Sequence, residues 1–355
     1  MANLRVQDKR RVLLLGTPSY ALSEYEDICK RYFVQSISRD GFKNHKDVTE
    51  AIAREVSQAT AAGEQPYVGF IWFFDTSRLG PFDESMLHPL TDSGCRFFSG
   101  GGAGYDDIET QWMASQGAYY CNTPTAVTIS TANAALMLIF AATRAITHGD
   151  TSTKAGKWRG DQAVPEEFLP IVPDVEGLKL GIIGLGAIGK ALSVRAQACG
   201  MEVMYYARNR VPDSESTSAT YVSMDELLVS SDVISVNCPL TPETRHLLGP
   251  VEFAKMKTGV FIVNTARGPI IDEEALVAAL RSGKVLRAGL DVFEREPIVH
   301  PGLLDPALSR RVTLQPHAAA RTHQSFMKAE GQIFKSLKEF MRGERPEYAV
   351  NHPKI

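Results

Sequence analysis

Four things are scarce in this 355-residue chain, and each scarcity removes a class of function. Basic charge is not in excess: 38 Lys and Arg stand against 41 Asp and Glu, a formal net charge of −3. That argues against nucleic acid or an anionic membrane surface as partner, because both favour a basic face or basic runs. No apolar stretch approaches the roughly 20 residues of a membrane helix. Internal repeats and low-complexity segments are missing. The five cysteines (Cys29, Cys95, Cys121, Cys199 and Cys238) are odd in number, scattered and without C-x-x-C spacing. They read as reduced, packed thiols, which implies a reducing compartment, the cytoplasm, and no metal site. The N-terminus "MANLRVQDKRRVLLLG" is superficially like a signal peptide, but its apolar run is about six residues and reads better as a first strand.

What is present is alternation. Short apolar runs and helical-period segments follow one another almost from end to end, the signature of parallel α/β architecture. In the first third the strand candidates are 11–16, 33–38, 68–73 and 95–100. A long Ala-rich helix follows, "STANAALMLIFAATRAITHG", with Ser130 and Thr131 as caps. The stretch "DQAVPEEFLPIVPDVEG" carries three prolines and no apolar period, and reads as a linker. A second series then runs through strands at 178–184, 201–207, 232–237, 260–264, 288–293 and 312–315, and a last helix spans about 322–342. A chain of this length suits two domains. The expected fold class is α/β: two Rossmann-like, doubly wound parallel-sheet domains with a cleft between them, the last helix returning to the first domain.

Between the strand "LKLGIIG" and the helix "KALSVRAQACG" lies Gly184-Leu-Gly186-Ala187-Ile188-Gly189. A lone G-x-G-x-x-G is weak, but between a strand and a helix it signals a dinucleotide site. Glycines permit a tight turn, and backbone N–H groups can approach a pyrophosphate at the positive end of the helix. The next strand should end in an acid that accepts from the adenosine ribose. Here that position is Ala207, followed by Arg208, Asn209 and Arg210. Without the carboxylate, a guanidinium can pair with a 2′-phosphate, so NADP(H) is the expected cofactor, with NAD(H) possible. The alternative is that the two arginines only solvate a turn.

Polar residues recur at the carboxyl ends of the later strands, where open parallel sheets bind ligands. Asn237, Cys238 and Pro239 follow "DVISV"; Arg267 follows "VFIVNTA"; Asp291 and Glu296 lie at and past "RAGLDVF"; His317 follows "RVTLQP". Singly, each has a dull explanation. Together they suit hydride transfer to a 2-oxo acid. An arginine pairs bidentately with a carboxylate and can touch the 2-oxo oxygen. A histidine can protonate the developing alkoxide, and Glu296 beside it favours imidazolium and orients the ring.

The residues "GLGAIG", "NCPLTPETRHLL", "VNTARGPIIDEEALVAALRSGKVLRAGLDVFEREP", "QPHAA", "GGGAGYDDIE" and "NTPTAVTISTANAALMLIF" resemble the D-isomer-specific 2-hydroxyacid dehydrogenases over nearly the whole chain. The resemblance implies Arg267, Glu296 and His317 as the catalytic trio and Asp291 as a contact of the nicotinamide carboxamide. It also places Cys238, Pro239, Thr244, Thr265 and Ala266 along the cofactor. The N–H groups of Gly102, Ala103 and Gly104 would hold the substrate carboxylate. Residues 1–125 with 323–355 would form a flavodoxin-like substrate domain, 126–322 the dinucleotide-binding domain, and the helix near Ser130 a homodimer contact. The missing ribose acid makes the chain similar to NADPH-preferring glyoxylate, hydroxypyruvate and other 2-oxoacid reductases. Trp72, Phe73 and Phe74 end a strand that often lines the substrate side-chain pocket in this family. There Trp72 and Phe74 would favour large apolar substrates, as in D-mandelate dehydrogenase; otherwise they are core. A second reading is a dinucleotide-sensing scaffold, similar to the corepressors that share this fold and keep the trio.

Overall fold

The computed structural model describes residues 9–74, 79–158, 172–212 and 217–353. The chain divides into two compact units, one formed by residues 1–127 with 321–355 and the other by 128–320. Most of the proline-bearing stretch expected as a linker, 161–171, lies outside the described residues, as do residues 1–8.

The first unit holds β1 (Arg11–Leu15), β2 (Phe33–Ile37), β3 (Tyr67–Trp72), β4 (Phe97–Gly100) and β5 (Tyr119–Cys121). They form one parallel sheet in the order β2-β1-β3-β4-β5. Every residue of β1 and β4 is buried, as expected of parallel strands covered on both faces. Helices α1 (Leu22–Arg31), α2 (His45–Ala61), α3 (Glu84–Asp92) and α4 (Thr110–Ser115) follow β1 to β4 in turn, and the last helix, α11 (His323–Met341), packs its apolar face (Ile333, Phe334, Leu337) on the same sheet. β5 was not expected from the sequence; three residues are too few to show a period.

The second unit begins with α5 (Thr128–Thr143) and α6 (Ile146–Lys154). Its sheet contains β6 (Lys179–Ile183), β7 (Glu202–Tyr206), β8 (Thr220–Tyr221), β9 (Val233–Val236), β10 (Val260–Asn264), β11 (Val285–Leu290) and β12 (Val312–Leu314). All pairs are parallel, in the order β12-β11-β10-β9-β6-β7-β8. The order reverses between β6 and β9, so the loops after those two strands diverge and leave a crevice at the sheet's carboxyl edge. Helix α7 (Ala187–Ala198) follows β6, α8 (Met224–Ser230) follows β8, α9 (Pro250–Lys255) follows β9, and α10 (Glu273–Ser282) joins β10 to β11.

Three expectations are corrected. The Ala-rich helix starts at Thr128, which puts Ser130 and Thr131 inside its first turns, buried. It also breaks at Ala145, whose left-handed backbone (φ 53°) precedes α6. The strand expected at 288–293 runs from Val285 to Leu290, so Asp291 is the first residue beyond it. Helix α5 is apolar because it is buried: Ala132, Ala135, Leu138 and Ile139 are sealed beneath the sheet. Gly289 on β11 makes room for it, since a Cβ there would lie 2.9 Å from Leu138 Cβ. Each large apolar side chain sealed in this way stabilises the unit by about 1.5–3 kcal/mol.

Candidate active site

The glycine loop stands at the point where the strand order reverses. Gly184 has φ +99°, and a Cβ on it would lie 2.8 Å from Cys238 N and 2.9 Å from Asn237 O. Both the left-handed turn and the close approach to the loop after β9 therefore need glycine. A Cβ on Gly189 would lie 2.3 Å from Gly184 O, so this glycine lets α7 close on the turn. Gly186 differs: nothing lies within 4 Å of its would-be Cβ, and as N-cap of α7 it supplies no side-chain cap. The exposed helix start, with Ala187 and Ile188 in its first turn, thus offers N–H groups and partial positive charge to an anion. In the first unit the segment that leads into the comparable helix, α1, is tied down. There Glu330, 4% exposed, accepts from the N–H groups of Ser19, Tyr20 and Ala21 at 2.7–2.9 Å.

Two further buried atoms fit a nucleotide in this crevice. Asn237 Oδ1 after β9 and Thr265 Oγ1 after β10 take no hydrogen bond from the described residues. Cys238 lies beside Asn237, and burial pushes its thiol up to about 11. Thr244 does not reach outward: its hydroxyl donates to Pro239 O and accepts from Thr241 N–H, both at 2.7 Å, and so braces the loop. Beyond β7, Ala207 is half-buried, whereas Arg208, Asn209 and Arg210 are exposed. Arg208 makes no hydrogen bond or ion pair among the described residues, and its field reaches Cys238 and Glu243. These features fit a dinucleotide with its pyrophosphate at α7. Among the described residues no group of three His, Cys, Asp or Glu could hold a metal ion.

The strand β10 is buried over its whole length and delivers Asn264 to the edge. Asn264 is 1% exposed; its Oδ1 accepts from Ala266 N–H at 3.0 Å and its Nδ2 donates to Arg267 O at 2.9 Å. This buried amide, unnoticed in the sequence, shapes the turn that presents Arg267. The half-buried guanidinium donates to Ala266 O at 2.9 Å. Gly268 then packs so tightly that a Cβ would lie 1.9 Å from the Phe293 carbonyl carbon. The arginine turn and the turn after β11 are therefore in register.

That second turn carries Glu296. Its Oε1 accepts from Phe293 N–H at 3.0 Å, and its Oε2 meets His317 Nδ1 at 2.8 Å. Burial works against the charged carboxylate, but the His317 hydrogen bond and charge, the Phe293 N–H and Arg267 together hold it below the usual carboxylate range. With Nδ1 engaged by Glu296, Nε2 makes no hydrogen bond among the described residues, on a side chain that is 44% exposed. His317 has a left-handed backbone, φ 52°, a strained conformation costing about 1–3 kcal/mol for a residue with a Cβ. Asp291 sustains it. Its main-chain O accepts from His317 N–H at 2.7 Å, while Oδ1 and Oδ2 accept from Ala318 and Ala319 N–H at 2.7 and 2.9 Å. Asp291 is 1% exposed, and burial raises its pKa against those two N–H groups. Both oxygens of the residue expected at the carboxamide are thus engaged in holding the histidine turn.

In the first unit the loop after β4 is tied to the segment after β5. Gly102, at φ +125°, donates its N–H to Thr123 Oγ1 at 2.7 Å, and Asn122 Nδ2 donates to Ala103 O at 2.7 Å. The N–H of Gly102 is therefore spent, contrary to expectation; those of Ala103 and Gly104 make no hydrogen bond among the described residues. Trp72 is also corrected. It is 3% exposed and stacked on Phe82 with centroids 4.1 Å apart, so it is core rather than pocket wall. Phe74 is half-buried, against Gly101 and Phe326, the latter at 4.5 Å between centroids.

Comparison with known proteins gives the family. Residues 136–319 match the model of the D-isomer specific 2-hydroxyacid dehydrogenase NAD-binding domain. The chain is 37% identical to 4-methyl-2-oxopentanoate reductase A of Aspergillus oryzae over 332 residues, 92% of this chain and 93% of that protein. The crystal structure of a glyoxylate reductase from Paecilomyes thermophila superposes with a TM-score of 0.85 at 34% identity, covering 98% of this chain and 99% of that one. The holo form of Rhodotorula graminis D-mandelate dehydrogenase gives 0.86 at 28% identity, with the same coverage. The chain belongs to the D-isomer-specific 2-hydroxyacid dehydrogenases, oxidoreductases that use a nicotinamide dinucleotide on small 2-hydroxy and 2-oxo acids.

Proposed function

We propose that this chain is an NADPH-preferring 2-oxoacid reductase that forms D-2-hydroxy acids, with NADH as a poorer donor. The observation that carries the reading is the 2.8 Å contact of Glu296 Oε2 with His317 Nδ1, beside Arg267 at the carboxyl edge of the same sheet. Arg267 binds the substrate carboxylate and 2-oxo oxygen as a planar cation. His317 Nε2 delivers a proton to that oxygen as it gains alkoxide character. Glu296 keeps the ring oriented and favours its protonated form. When bound, the cofactor supplies the hydride. Gly184, Gly186, Ala187, Ile188 and Gly189 would hold its pyrophosphate, with Cys238, Pro239, Thr265 and Ala266 along its length. NADPH preference is supported by Ala207 where an acid would repel a 2′-phosphate, and by the unengaged Arg208 beside it.

The N–H groups of Ala103 and Gly104 suit a carboxylate, which assigns the first unit to substrate and the second to dinucleotide. Phe74 and its neighbour Phe326 favour a branched or aromatic side chain, in line with the reductase of 4-methyl-2-oxopentanoate and the mandelate enzyme named above. We further place the protein in a reducing compartment, where its five free thiols persist. Two copies would pair through α5 and α6, where Ile129, Met137, Ile146 and the nearby Trp158 are exposed.

The test is NADPH and NADH oxidation with glyoxylate, hydroxypyruvate, 4-methyl-2-oxopentanoate and phenylglyoxylate. Turnover is expected with the two larger apolar acids, and Arg208→Ser should raise KM for NADPH about ten- to a hundredfold while sparing NADH. No turnover with any acid would favour the sensing-scaffold reading, and equal loss with both cofactors would remove the phosphate argument.

A further inference from the structure

We infer that Glu273 is a positioning residue for the proton donor, acting through the turn that carries Glu296. The inference rests on the role proposed above for His317.

Glu273 is the first residue of α10 and is 5% exposed, an unusual place for a carboxyl group. The helix does not need it as a cap, because Asp272 is the N-cap and accepts from Ala275 N–H at 3.0 Å. Instead Glu273 Oε1 reaches across to accept Glu294 N–H at 2.9 Å. Glu294 adjoins Phe293, whose own N–H holds Glu296 Oε1. Successive N–H groups of one turn are thus divided between a buried acid from α10 and the acid that engages His317. Three other contacts limit this turn. Gly268 abuts the Phe293 carbonyl, Ile298 N–H donates to Arg295 O at 2.8 Å, and His246 Nε2 meets Glu294 Oε1 at 3.0 Å. Of these anchors, only Glu273 fixes the Glu294 main-chain N–H. Without it the Glu294 N–H loses its acceptor, and the turn is less firmly held next to the Phe293 N–H that anchors Glu296.

Glu273 sits in a crowded electrostatic setting, with Glu294 and Glu296 opposing its charge and His300 favouring it. His246 contacts Glu294 and Glu274 contacts His300, so the surrounding charges are largely paired. Burial and the neighbouring carboxylates push the Glu273 carboxyl above its usual range. What the turn uses is an acceptor oxygen at the reach of a glutamate side chain, which an amide of the same length also offers.

Reach and charge separate experimentally. Glu273→Gln keeps the reach and removes the charge, while Glu273→Asp keeps the charge and shortens the reach by one methylene. The inference expects Gln to retain kcat, and Asp and Ala to lose about ten- to a hundredfold in kcat with little change in substrate KM, as for a misplaced group. In Asp and Ala the high-pH limb of kcat should move to lower pH. The His317 imidazole resonance, titrated by NMR in the cofactor-free protein, should move with it. Asp that behaves as wild type while Gln fails would overturn the inference in favour of charge, and so would Ala with an unchanged titration. If Ala does not fold, the Gln and Asp pair decides alone. His317→Ala in the same assay separates the two levels: if it keeps turnover the proton-donor role falls, whereas its loss beside silent Glu273 variants removes only Glu273.

Discussion

Asp291→Ala removes two of the three hydrogen bonds that hold the histidine turn. The lost bonds, from Ala318 and Ala319 N–H at 2.7 and 2.9 Å, end on a carboxylate that is 1% exposed. A bond to a charged acceptor contributes about 1.5–3 kcal/mol, so the pair amounts to about 3–6 kcal/mol before the burial cost of the carboxylate is subtracted. Opposing them is the left-handed backbone of His317 at φ 52°, with strain of about 1–3 kcal/mol. In the native turn the bonds exceed the strain; in the variant the strain has little to oppose it. The turn should then relax toward negative φ and swing the imidazole off Glu296. Because relaxation recovers the strain, the net loss of stability should be only about 1–3 kcal/mol, or roughly 2–4 °C in Tm for each kcal/mol. The chemical step should suffer more, with kcat down about a hundredfold. Asp291→Asn, which keeps one acceptor, should fall between. The assay is kcat and KM with the best 2-oxo acid, beside calorimetric melting. A well-folded Asp291→Ala protein with native kcat would refute the argument that this acid holds the proton donor.

Other outcomes follow from the same geometry. The Glu296 carboxyl lies below its usual range when folded, so the stability it contributes is complete above the unfolded carboxylate pKa and fades as pH falls through the lowered value. The Tm difference between wild type and Glu296→Gln should accordingly be present at neutral pH and shrink in acid; a difference constant down to pH ~3 would contradict this. His317→Ala should abolish most turnover and keep the backbone strain. His317→Gly, equally inactive, should melt higher by about 1 kcal/mol of relieved strain, and equal melting would show that φ stores nothing. Glu330→Ala strips the acceptor from three N–H groups just ahead of α1 and should cost about 1–3 kcal/mol, read by denaturant unfolding, without altering the kcat of the folded protein.

The glycine loop and the Arg267 turn were legible because their determinants are local. A strand, a turn and a helix start lie within a dozen residues of each other, and period and glycine spacing report them directly. Glu273 and Asp291 were legible only as letters. The one was part of an acidic helix start and the other a strand-end acid, because their partners lie 21 and 27–28 residues away. Asn264 was hidden as the last letter of an apolar run. Trp72 and Phe74 read alike, two positions apart on one face, yet the first is sealed between Phe82 and Tyr120 and the second is half-buried beside Gly101.

The sequence by itself determined which strands are buried, where the phosphate-type turn lies, and which side chains stand at the carboxyl ends of the second sheet. Those properties follow from hydrophobic period and backbone freedom, which each short segment carries alone. Only the tertiary structure decided that Gly102 gives its N–H to Thr123, that Asp291 supports a strained histidine turn, and that the segment entering α1 is held by Glu330 from 311 residues away. A hydrogen-bonding group has many partners in sequence and one in space, and the packing within each unit makes that choice.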